Sequence, residues 1–366
     1  MKILEICPFS EGICGVWSRV KQESIEFSKK GYDVTVFSSN ETEDGKIAEK
    51  SEEILEKIKI NRFPVTRRQG YALWFNFNKE ALELKPDVII CHCFRKPYLG
   101  PAIKIAKKVG SKIFLVTHAP FADKEMRSSR LNFIISLYDK LYAKKILNSF
   151  DKVISICKWE KKYLLNLGCD EGRIDYIPNL IPDDFFNKSM EEEKNKILYL
   201  GRLHQVKEIE ILIEAFKKSD LNKDYTLEIV GPKQGEYYEG IKKMEEKNIV
   251  FLDAIYNIDK KIEKIDQAKI FVLPSKKEGL PLGLVEAMAR GKIVISSKNK
   301  GAKELIKDCK NGFLFEIGDS TELQLIMDAV EKMSVEGKES IKNEAMKTTR
   351  KFKSSDAIKK WETFFK

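Results

Sequence analysis

Short apolar runs typical of buried strands alternate with amphipathic runs typical of helices along the whole chain. This alternation predicts an α/β fold, in which parallel sheets are covered by helices. In sheets of this kind, ligands bind outside the carboxyl ends of the strands. The strand-like runs lie at residues 2–7, 33–38, 59–63, 87–92, 112–117, 152–156 and 174–177 in the first half, and at 197–201, 226–230, 249–252, 269–273, 293–296 and 313–315 in the second.

The pattern of strands and helices starts twice, which predicts two domains in a chain of 366 residues. The segment 179–194 contains Pro182 and a run of charged residues, and we interpret it as a linker. It would connect a first domain at 1–178 with a second at 195–350. The tail at 351–366 carries apolar residues at helical spacing and predicts an amphipathic helix. The chain has no repeat of short fixed period, which excludes a solenoid.

The segment 275–296 contains two glutamates, Glu278 and Glu286, which stand eight positions apart with a loop rich in Gly and Pro between them. It follows a strand-like run, and its pattern becomes helical from Leu284 onward. One carboxylate therefore lies in a loop after a strand, and the other lies just inside the next helix. The free N–H groups and partial positive charge of a helix N-terminus attract anions. The combination suits a ligand with both hydroxyls and phosphates, such as a nucleotide sugar.

This segment resembles the Glu-x7-Glu motif of the family-4 retaining glycosyltransferases, which have two facing Rossmann-like domains (the GT-B architecture). Other segments are similar to motifs of that family, occur in the family's order and extend over nearly the whole chain. They are Asp87-Val-Ile-Ile-Cys-His92, Thr117-His118, Ile177-Pro-Asn179, Ile197-Leu-Tyr-Leu-Gly201-Arg202-Leu203 with Lys207, and Gly301-Ala-Lys-Glu304-Leu-Ile with Gly312.

The resemblance implies a GT-B fold with a cleft between the domains and a C-terminal helix that returns to the first domain. It also implies a retaining transferase, which moves a hexose-type sugar from a nucleoside diphosphate to a hydroxyl of a glycan, a glycolipid or a lipid-linked sugar. The acceptor would attack the face that the diphosphate leaves, and the leaving phosphate would help to take its proton. The base (UDP or GDP), the sugar, the acceptor and the oligomeric state stay open. Two alternatives share the architecture, namely a nucleotide-sugar epimerase or hydrolase, and a sugar-nucleotide binding protein without catalysis.

Four candidate catalytic residues follow from this resemblance: Arg202, Lys207, Glu278 and His118. Arg202 and Lys207 would balance the charge of the leaving diphosphate without a metal ion. Glu278 would bond ring hydroxyls of the donor sugar, and His118, at a strand end in the first domain, would bond the same sugar. Because the chain has no Asp-x-Asp motif, we expect neither a metal nor another cofactor.

Other residues are expected to bind the donor. Glu286 would accept hydrogen bonds from the ribose hydroxyls, as acidic residues do in other nucleotide-binding folds. Gly15, between the first strand and the first helix, is similar to one glycine of the family's Gly-Gly loop, and we expect a diphosphate contact there. The main chain after Glu278 would meet sugar hydroxyls and phosphate, although relatives often carry Glu-Gly-Phe-Gly there, so sugar selectivity stays open. These main-chain residues are Gly279, Leu280, Pro281, Leu282, Gly283 and Leu284.

The residue pattern excludes two other kinds of site. The segment from Gly12 to Gly15 lacks the third glycine of a dinucleotide fingerprint, and the second strand ends without an acidic residue, so NAD is not expected. Cys91 and Cys93 flank His92 on a strand, where alternate side chains point to opposite faces, and no second ligand pair appears. Zinc is therefore not expected, and His92 is interpreted as a core residue or a support for the site.

We expect no signal peptide, because charged residues interrupt the first apolar run, and no apolar run in the sequence comes near the ~20 residues that a membrane span needs. Its seven cysteines include no Cys-x-x-Cys pair. Reduced thiols are the simple interpretation of cysteines without a framework of paired spacings. We therefore expect a cytoplasmic protein.

Residues 62–162 carry 21 Lys and Arg against 8 Asp and Glu, a net charge of +13. Such a surface attracts anionic membranes, lipid phosphates or nucleic acid, but nucleic acid is disfavoured because no recognition motif for it occurs. Within it, 127–147 predicts a helix whose apolar face packs on the first domain's sheet or lies on the inner face of an anionic membrane. The membrane alternative favours a lipid-linked acceptor. The face comprises Leu131, Ile134, Ile135, Tyr138, Leu141 and Tyr142, and the basic residues around it are Arg127, Arg130, Lys140, Lys144 and Lys145.

Overall fold

Two sheets of mainly parallel strands, one in each of two units of the chain, form the framework of the computed structural model. The first unit comprises Met1–Leu180 and Ser354–Lys366, and the second comprises Ile181–Lys353. The α/β fold with parallel sheets in two domains, which the sequence predicts, is confirmed. The structure describes residues 1–12, 14–43, 45–70, 72–121, 128–187 and 191–366.

The first unit contains ten strands among its described residues. They are β1 (Lys2–Ile6), β2 (Asp33–Ser39), β3 (Glu52–Leu55), β4 (Ile58–Phe63), β5 (Val65–Gln69), β6 (Ala72–Phe75), β7 (Val88–His92), β8 (Lys112–Val116), β9 (Lys152–Ser155) and β10 (Ile174–Tyr176). The main sheet has the order β10-β9-β8-β7-β1-β2-β4-β3, and β5 pairs separately with β6. All pairs of the main sheet are parallel except β3 with β4. The strand order reverses at β1, which lies between β2 and β7.

The helices of the first unit connect these strands. They are α1 (Gly15–Lys29), α2 (Asn78–Leu84), α3 (Leu99–Val109), α4 (Ser129–Tyr138), α5 (Lys144–Leu147) and α6 (Glu160–Asn166). Every residue of β7 is buried, as expected for a parallel strand that is covered on both faces. Glu5 is also buried, in the middle of β1, and its partners are described below.

The second unit contains one sheet, and all its strand pairs are parallel. Its strands are β11 (Lys194–Leu200), β12 (Thr226–Val230), β13 (Ile249–Leu252), β14 (Ala268–Leu273), β15 (Ile293–Ser297) and β16 (Phe313–Phe315), in the order β13-β12-β11-β14-β15-β16. The strand order reverses at β11. Its helices are α7 (Ile209–Lys218), α8 (Glu236–Lys242), α9 (Ile258–Asp266), α10 (Leu282–Ala289), α11 (Lys300–Leu305), α12 (Ser320–Lys332) and α13 (Val335–Thr349).

The last helix, α14 (Ser354–Phe365), belongs to the first unit. Trp361 is fully buried, makes edge contacts with Phe27 and Phe114, and donates its indole N–H to Oε1 of Glu23 on α1 at 2.7 Å. Glu23 also accepts a bidentate pair of bonds from Arg19 at 2.7 and 3.1 Å. The apolar face of α14 and this buried polar bond therefore hold the tail against α1.

The predicted linker 179–194 has described residues on both sides of 188–190, which lie outside the described part of the chain. Its N-terminal portion belongs to the second unit from Ile181 onward. Phe185 is buried in a 3-10 turn, and its carbonyl oxygen accepts from Arg290 at 3.3 Å. This portion is therefore packed rather than free of contacts.

The segment predicted as one helix at 127–147 is helical from 129 to 147, because a π-helical turn (Asp139–Ala143) joins α4 to α5. Ser128 begins it by accepting from the amide of Leu131. Arg127 lies outside the described residues. Across the described part of the chain, no helix has the length and apolarity to cross a membrane.

Candidate functional site

The carboxyl ends of β11 and β14 bring together two of the residues singled out in the second unit. β11 and β14 are neighbours, and the strand order reverses at β11, where ligands bind in open parallel sheets. Lys207 follows β11, and Glu278 follows β14. The Nζ of Lys207 donates to Oε1 of Glu278 at 2.6 Å, and both side chains are largely buried. A positive and a negative charge are thus held together at this edge.

Lys207 is held in place by local structure. It ends a 3-10 turn (Gln205–Lys207), and Nδ1 of His204 caps this turn by accepting from the amide of Val206 at 3.2 Å. His204, to which the sequence assigns no role, therefore orders the backbone before Lys207. Arg202 lies closer to β11, with its side chain exposed, and its carbonyl oxygen accepts from the hydroxyl of Tyr199 at 2.7 Å.

Glu286 lies inside α10 and is only 5% exposed. Its Oε1 accepts from Nζ of Lys261 on α9 at 2.6 Å. Its Oε2 is buried and has no hydrogen-bond partner among the described residues. A buried carboxylate oxygen without a donor is costly, so its presence calls for a physical reason. A ligand hydroxyl that donates to this atom would supply one.

Glycines allow the loop that carries Glu278 to pack closely on α11. A Cβ added to Gly301 would lie 2.4 Å from the carbonyl oxygen of Gly279, 2.9 Å from Pro281 and 3.0 Å from Glu278. A Cβ at Gly231 would lie 2.2 Å from the carbonyl oxygen of Gly201, directly before Arg202. Only glycine fits at such distances, so both positions fix the backbone beside the charged residues.

The main-chain residues predicted to bind the donor fall into two groups. The side chains of Leu280, Pro281 and Leu284 are buried and anchor the loop, whereas Gly279, Leu282 and Gly283 are half-buried. The amide of Leu284 donates to the carbonyl oxygen of Pro281 at 3.1 Å and is engaged inside the protein. In the first unit, Gly15 begins α1, and a Cβ added there would meet nothing within 4 Å.

His118 in the first unit follows β8 and has an unusual backbone. Its φ is +57°, and that of Ala119 is +50°. Non-glycine residues rarely adopt positive φ, and where they do so the surrounding structure must stabilise the conformation. Glu160, fully buried at the start of α6, supplies this stabilisation. Its Oε2 accepts from the hydroxyl of Thr117 at 2.5 Å and from the amide of Ala119 at 3.0 Å.

The other oxygen of Glu160 is also bonded. Oε1 accepts from the amides of Ile156 and Cys157 at 2.8 and 2.9 Å. Burial raises the pKa of Glu160 to about 7, although these hydrogen bonds act in the opposite direction. Glu160 therefore binds the residues on both sides of His118 and connects them to the segment after β9.

The ring of His118 is joined to a buried histidine and a buried glutamate. Nδ1 of His92 lies 3.0 Å from Nε2 of His118, and Nε2 of His92 lies 2.8 Å from Oε2 of Glu5. Burial lowers the pKa of His92 to about 3, and burial with nearby positive charge lowers the pKa of His118 well below its usual range. Both rings are therefore neutral at physiological pH. His92 is a supporting residue, in line with its interpretation from the sequence.

Glu5, Glu23 and His92 are the one group of potential metal ligands found together among the described residues, with ligand atoms within 4.8 Å of one another. Their oxygens and nitrogens already have donors or ring partners. Arg19 and Trp361 bond Glu23, and the hydroxyl of Ser24 bonds Glu5 at 2.8 Å. The guanidinium of Arg19 would repel a cation, so the group is an ion-pair network rather than a metal centre.

Several supporting residues are absent from the prediction, chiefly Lys261 and Glu160. Each contacts a site residue that lies far away in the chain, 25 positions for Lys261 and Glu286, and 41 for Glu160 and Ala119. Such pairs leave no spacing signal in a single sequence. Glu160 gives one local signal, because it is an acidic residue at the start of α6. That signal is weak, since an acidic residue there is equally expected as a partner of the helix dipole.

Two family models match the chain. The model described as "Glycosyl transferases group 1" matches residues 181–348, and "Glycosyltransferase Family 4" matches residues 13–185. Among curated proteins, the chain is 26% identical to an uncharacterized glycosyltransferase of Methanocaldococcus jannaschii, over 72% of this chain and 71% of that one. It is 25% identical to the capsular polysaccharide biosynthesis glycosyltransferase CapH of Staphylococcus aureus, over 70% of each chain.

Among solved structures, the fold is similar to that of Anabaena HepE in complex with UDP and glucose. The TM-score is 0.76 at 16% identity, and the match covers 99% of this chain and 98% of that one. At this identity, the likeness concerns the fold alone.

We predict that Gly301→Ala destabilises the second unit, because its methyl group would lie 2.4 Å from the carbonyl oxygen of Gly279. Overpacking of this kind costs about 1–3 kcal/mol in free energy of unfolding. Gly240→Ala is the matched control, since Gly240 lies in α8 with nothing within 4 Å of an added Cβ. Alanine in a helix should leave stability unchanged or raise it by up to ~1 kcal/mol. Urea unfolding followed by far-UV circular dichroism measures both, and equal stability of Gly301→Ala and wild type would contradict the close approach.

Proposed function

Because this chain belongs to the family-4, group 1 glycosyltransferases, we propose that it is a retaining, metal-independent hexosyltransferase. The donor is a nucleoside diphosphate sugar, and the acceptor is a hydroxyl of a glycan, a glycolipid or a lipid-linked sugar. One observation carries this proposal. Glu286 in the second unit has a buried carboxylate oxygen without a partner among the described residues. It lies in the helix that follows the loop of Glu278, whose carboxylate is paired with Lys207.

The open oxygen of Glu286 suits the ribose of the donor. Ribose offers two adjacent hydroxyl donors, and a carboxylate can accept from both. Lys261 fixes the other oxygen of Glu286 at 2.6 Å, so the carboxylate is oriented before the ligand arrives. This preorganisation favours binding because little side-chain freedom remains to be lost.

Lys207 and Arg202 suit the diphosphate. When the bond between the sugar and the diphosphate breaks, negative charge develops on the phosphate oxygens, and two cations after β11 can stabilise it. The bond from Lys207 to Glu278 positions the ammonium group. Glu278 is thereby set to accept from hydroxyls of the sugar. The positive charges of Lys207 and Arg202 thus stabilise the leaving diphosphate, as a divalent cation does in other transferases.

The carboxylates that support His118 in the first unit are not free to act as nucleophiles, which favours a retaining course in a single step. In the proposed step, the bond from the anomeric carbon to the diphosphate breaks while the acceptor oxygen bonds the same face, and the acceptor proton passes to the leaving phosphate. A double displacement would instead need a free carboxylate nucleophile. Glu5 and Glu160, which support His118, are both fully buried and hydrogen-bonded. We assign His118 a hydrogen bond to the reacting sugar, and Gly15 a contact with diphosphate.

The names of the relatives indicate which donors and acceptors to test first. The UDP complex of HepE makes UDP-linked sugars the first donors to test, with GDP-linked sugars as the alternative. The role of CapH in capsular polysaccharide biosynthesis makes saccharides the first acceptors.

A membrane-bound acceptor is supported by the exposed helical segment 128–147. Large apolar side chains on it are solvent-exposed, including Phe133 at 69% and Leu141 at 57%. The segment carries four basic residues against one acidic residue, Asp139, which is bonded to Arg95 at 2.6 and 2.8 Å. An apolar face with a basic surround is complementary to an anionic bilayer. We therefore assign this segment to peripheral contact with an anionic membrane at the cytoplasmic face.

We predict that transfer persists in excess chelator, because Arg202 and Lys207 stabilise the leaving group. Arg202→Ala and Lys207→Ala should each lower kcat about 10²-fold, the scale for removing one transition-state charge donor. Lys247→Ala, an exposed lysine of the same unit, is the control and should be silent. The assay follows release of nucleoside diphosphate and the anomeric configuration of the product. Loss of activity in chelator, an inverted product, or consumption of donor without transfer would contradict the proposal.

We predict that Glu286→Ala weakens binding of UDP by about 10-fold or more, the scale of hydrogen bonds to a charged group. The loss should be specific to ribose. Isothermal titration with UDP and 2′-deoxy-UDP should show a difference for the wild type and almost none for Glu286→Ala. Glu278→Ala should keep UDP binding and lower kcat, because Glu278 contacts the sugar. Equal discrimination between the two nucleotides by wild type and Glu286→Ala would refute the ribose assignment.

We predict that the protein cosediments with anionic vesicles at low salt, and that binding fades as salt rises because exposed charges are screened. Vesicles of neutral phosphatidylcholine should bind little. The double variant Phe133→Glu, Leu137→Glu should lose binding, since both side chains are exposed on the segment. Leu325→Glu changes a residue that is 59% exposed in the second unit and should bind like wild type. Absence of binding to anionic vesicles at low salt would remove the membrane assignment and leave the transferase proposal intact.

A further inference from the structure

A chain of three side chains leads from the interior of the first unit to His118. Oε2 of Glu5 contacts Nε2 of His92, and Nδ1 of His92 contacts Nε2 of His118. Nδ1 of His118 makes no hydrogen bond to any residue that the structure describes. The two internal contacts use three of the four ring nitrogens, so only Nδ1 of His118 is left to meet a ligand.

Two proton arrangements satisfy both contacts. A neutral imidazole has one N–H and one lone pair, so each ring must donate at one nitrogen and accept at the other. If Glu5 carries a proton, it donates to His92, His92 donates to His118, and the Nδ1 of His118 bears a hydrogen. If Glu5 is ionised, it accepts from His92, His118 donates to His92, and Nδ1 of His118 bears a lone pair. Nδ1 of His118 is therefore a hydrogen-bond donor in the first arrangement and an acceptor in the second.

The surroundings of Glu5 allow both states. Ser24 on α1 donates to Oε1 at 2.8 Å, which either state accepts. Burial raises the pKa of Glu5 to about 8, whereas the bond from Ser24 and the charge of Arg19 act in the opposite direction. Several other ionisable groups surround the chain of contacts. They are Arg19 and Glu23 on α1, Cys7 after β1, Cys93 and Lys96 after β7, and Tyr98, whose hydroxyl donates to the carbonyl oxygen of His92.

The backbone around His118 is fixed independently of its ring. Glu160 bonds Thr117 and Ala119 on either side, and His118 keeps its positive φ. The ring is thereby kept within reach of His92, so a change at Glu5 alters the proton on His118 rather than the position of the ring.

We propose that Glu5, acting through His92, sets which nitrogen of His118 carries the proton, and so decides whether His118 offers its ligand a hydrogen-bond donor or an acceptor. Glu5 and His92 are positioning residues in this inference. The inference rests on the proposed function only for the identity of the ligand, a sugar hydroxyl.

Nuclear magnetic resonance of ¹⁵N-histidine-labelled protein without ligand tests this inference directly. The chain has three histidines, and protonated and lone-pair nitrogens have well-separated ¹⁵N shifts. His204 is an internal reference, because its Nδ1 accepts from Val206 and has no link to Glu5. In the wild type, His92 and His118 should carry the proton on Nδ1 at pH 6.5 and on Nε2 at pH 9.5, with a midpoint near the pKa of about 8 for Glu5.

Two variants separate this mechanism from a merely structural role. Glu5→Gln can donate from its amide to His92 and accept from Ser24, so both rings should keep the Nδ1 proton at every pH. Ser24→Ala removes a bond that lowers the pKa of Glu5, so the midpoint should move to higher pH. A wild type with one tautomer from pH 6.5 to 9.5, or a Glu5→Gln protein that switches as the wild type does, would overturn the inference.

The pH profile of transfer gives an independent readout. The kcat/KM of the wild type should change about three- to tenfold across this midpoint, the factor of one neutral hydrogen bond, and that change should be absent in Glu5→Gln. A tautomer switch in a protein without transferase activity would refute the proposed function and leave this inference standing. Transferase activity with a fixed tautomer would support the proposed function and overturn this inference.

Discussion

A parallel sheet that is buried on both faces leaves one place for polar chemistry, the edge where its strands end. Strands such as β7 are buried at every residue, so their side chains must be apolar or fully bonded. Polar groups are then found where the backbone leaves a sheet. His118 follows β8 in the first unit, and Lys207 and Glu278 follow β11 and β14 in the second. The close packing at Gly301 acts on this edge of the sheet in the second unit, and the bonds of Glu160 act on the corresponding edge in the first. They hold loops that would otherwise lack a regular conformation.

Glu5 is the exception, since it lies inside β1 and is fully buried. The same region holds the ion pair of Arg19 and Glu23, also without solvent exposure. Arg19 further donates to the carbonyl oxygen of Ile177 at 2.9 Å and to Asn179 at 3.1 Å. Removing one member of such a buried pair leaves an uncompensated charge, which costs about 3–5 kcal/mol. The network therefore connects α1 with the segment 177–179 and with α14. Its effect on stability comes more from the cost of breaking it than from its net attraction.

The sequence predicts the parallel strands well, because buried strands are contiguous apolar runs. The expected 226–230, 249–252 and 313–315 agree with β12, β13 and β16 at both ends. The strands β3, β5 and β6 are missing from the prediction. β5 contains Thr66, Arg67, Arg68 and Gln69, all exposed, so no apolar pattern marks it, and its pairing with β6 is settled by the partner strand.

The candidate site is predicted only in part. Glu278, Glu286, Arg202 and Lys207 stand out because they belong to local motifs. Their partners do not, since the bond from Lys261 to Glu286 depends on how α9 packs beside α10. The proton link from Glu5 to His118 depends on the neighbouring positions of β1, β7 and β8, and a pattern along one strand does not report which strands are adjacent.

The unpartnered oxygen of Glu286 also has an evolutionary consequence. If Glu286 and Lys261 were both replaced by apolar residues of similar size, the unsatisfied buried oxygen would disappear without leaving the Lys261 ammonium group unpaired, and the empty protein would keep its stability or gain some. Selection for heat resistance or expression alone would therefore tend to eliminate Glu286, whereas selection for turnover must retain it. Laboratory evolution of this chain toward robustness would need a ligand-dependent screen, because a screen for stability alone does not retain a group whose partner is the ligand.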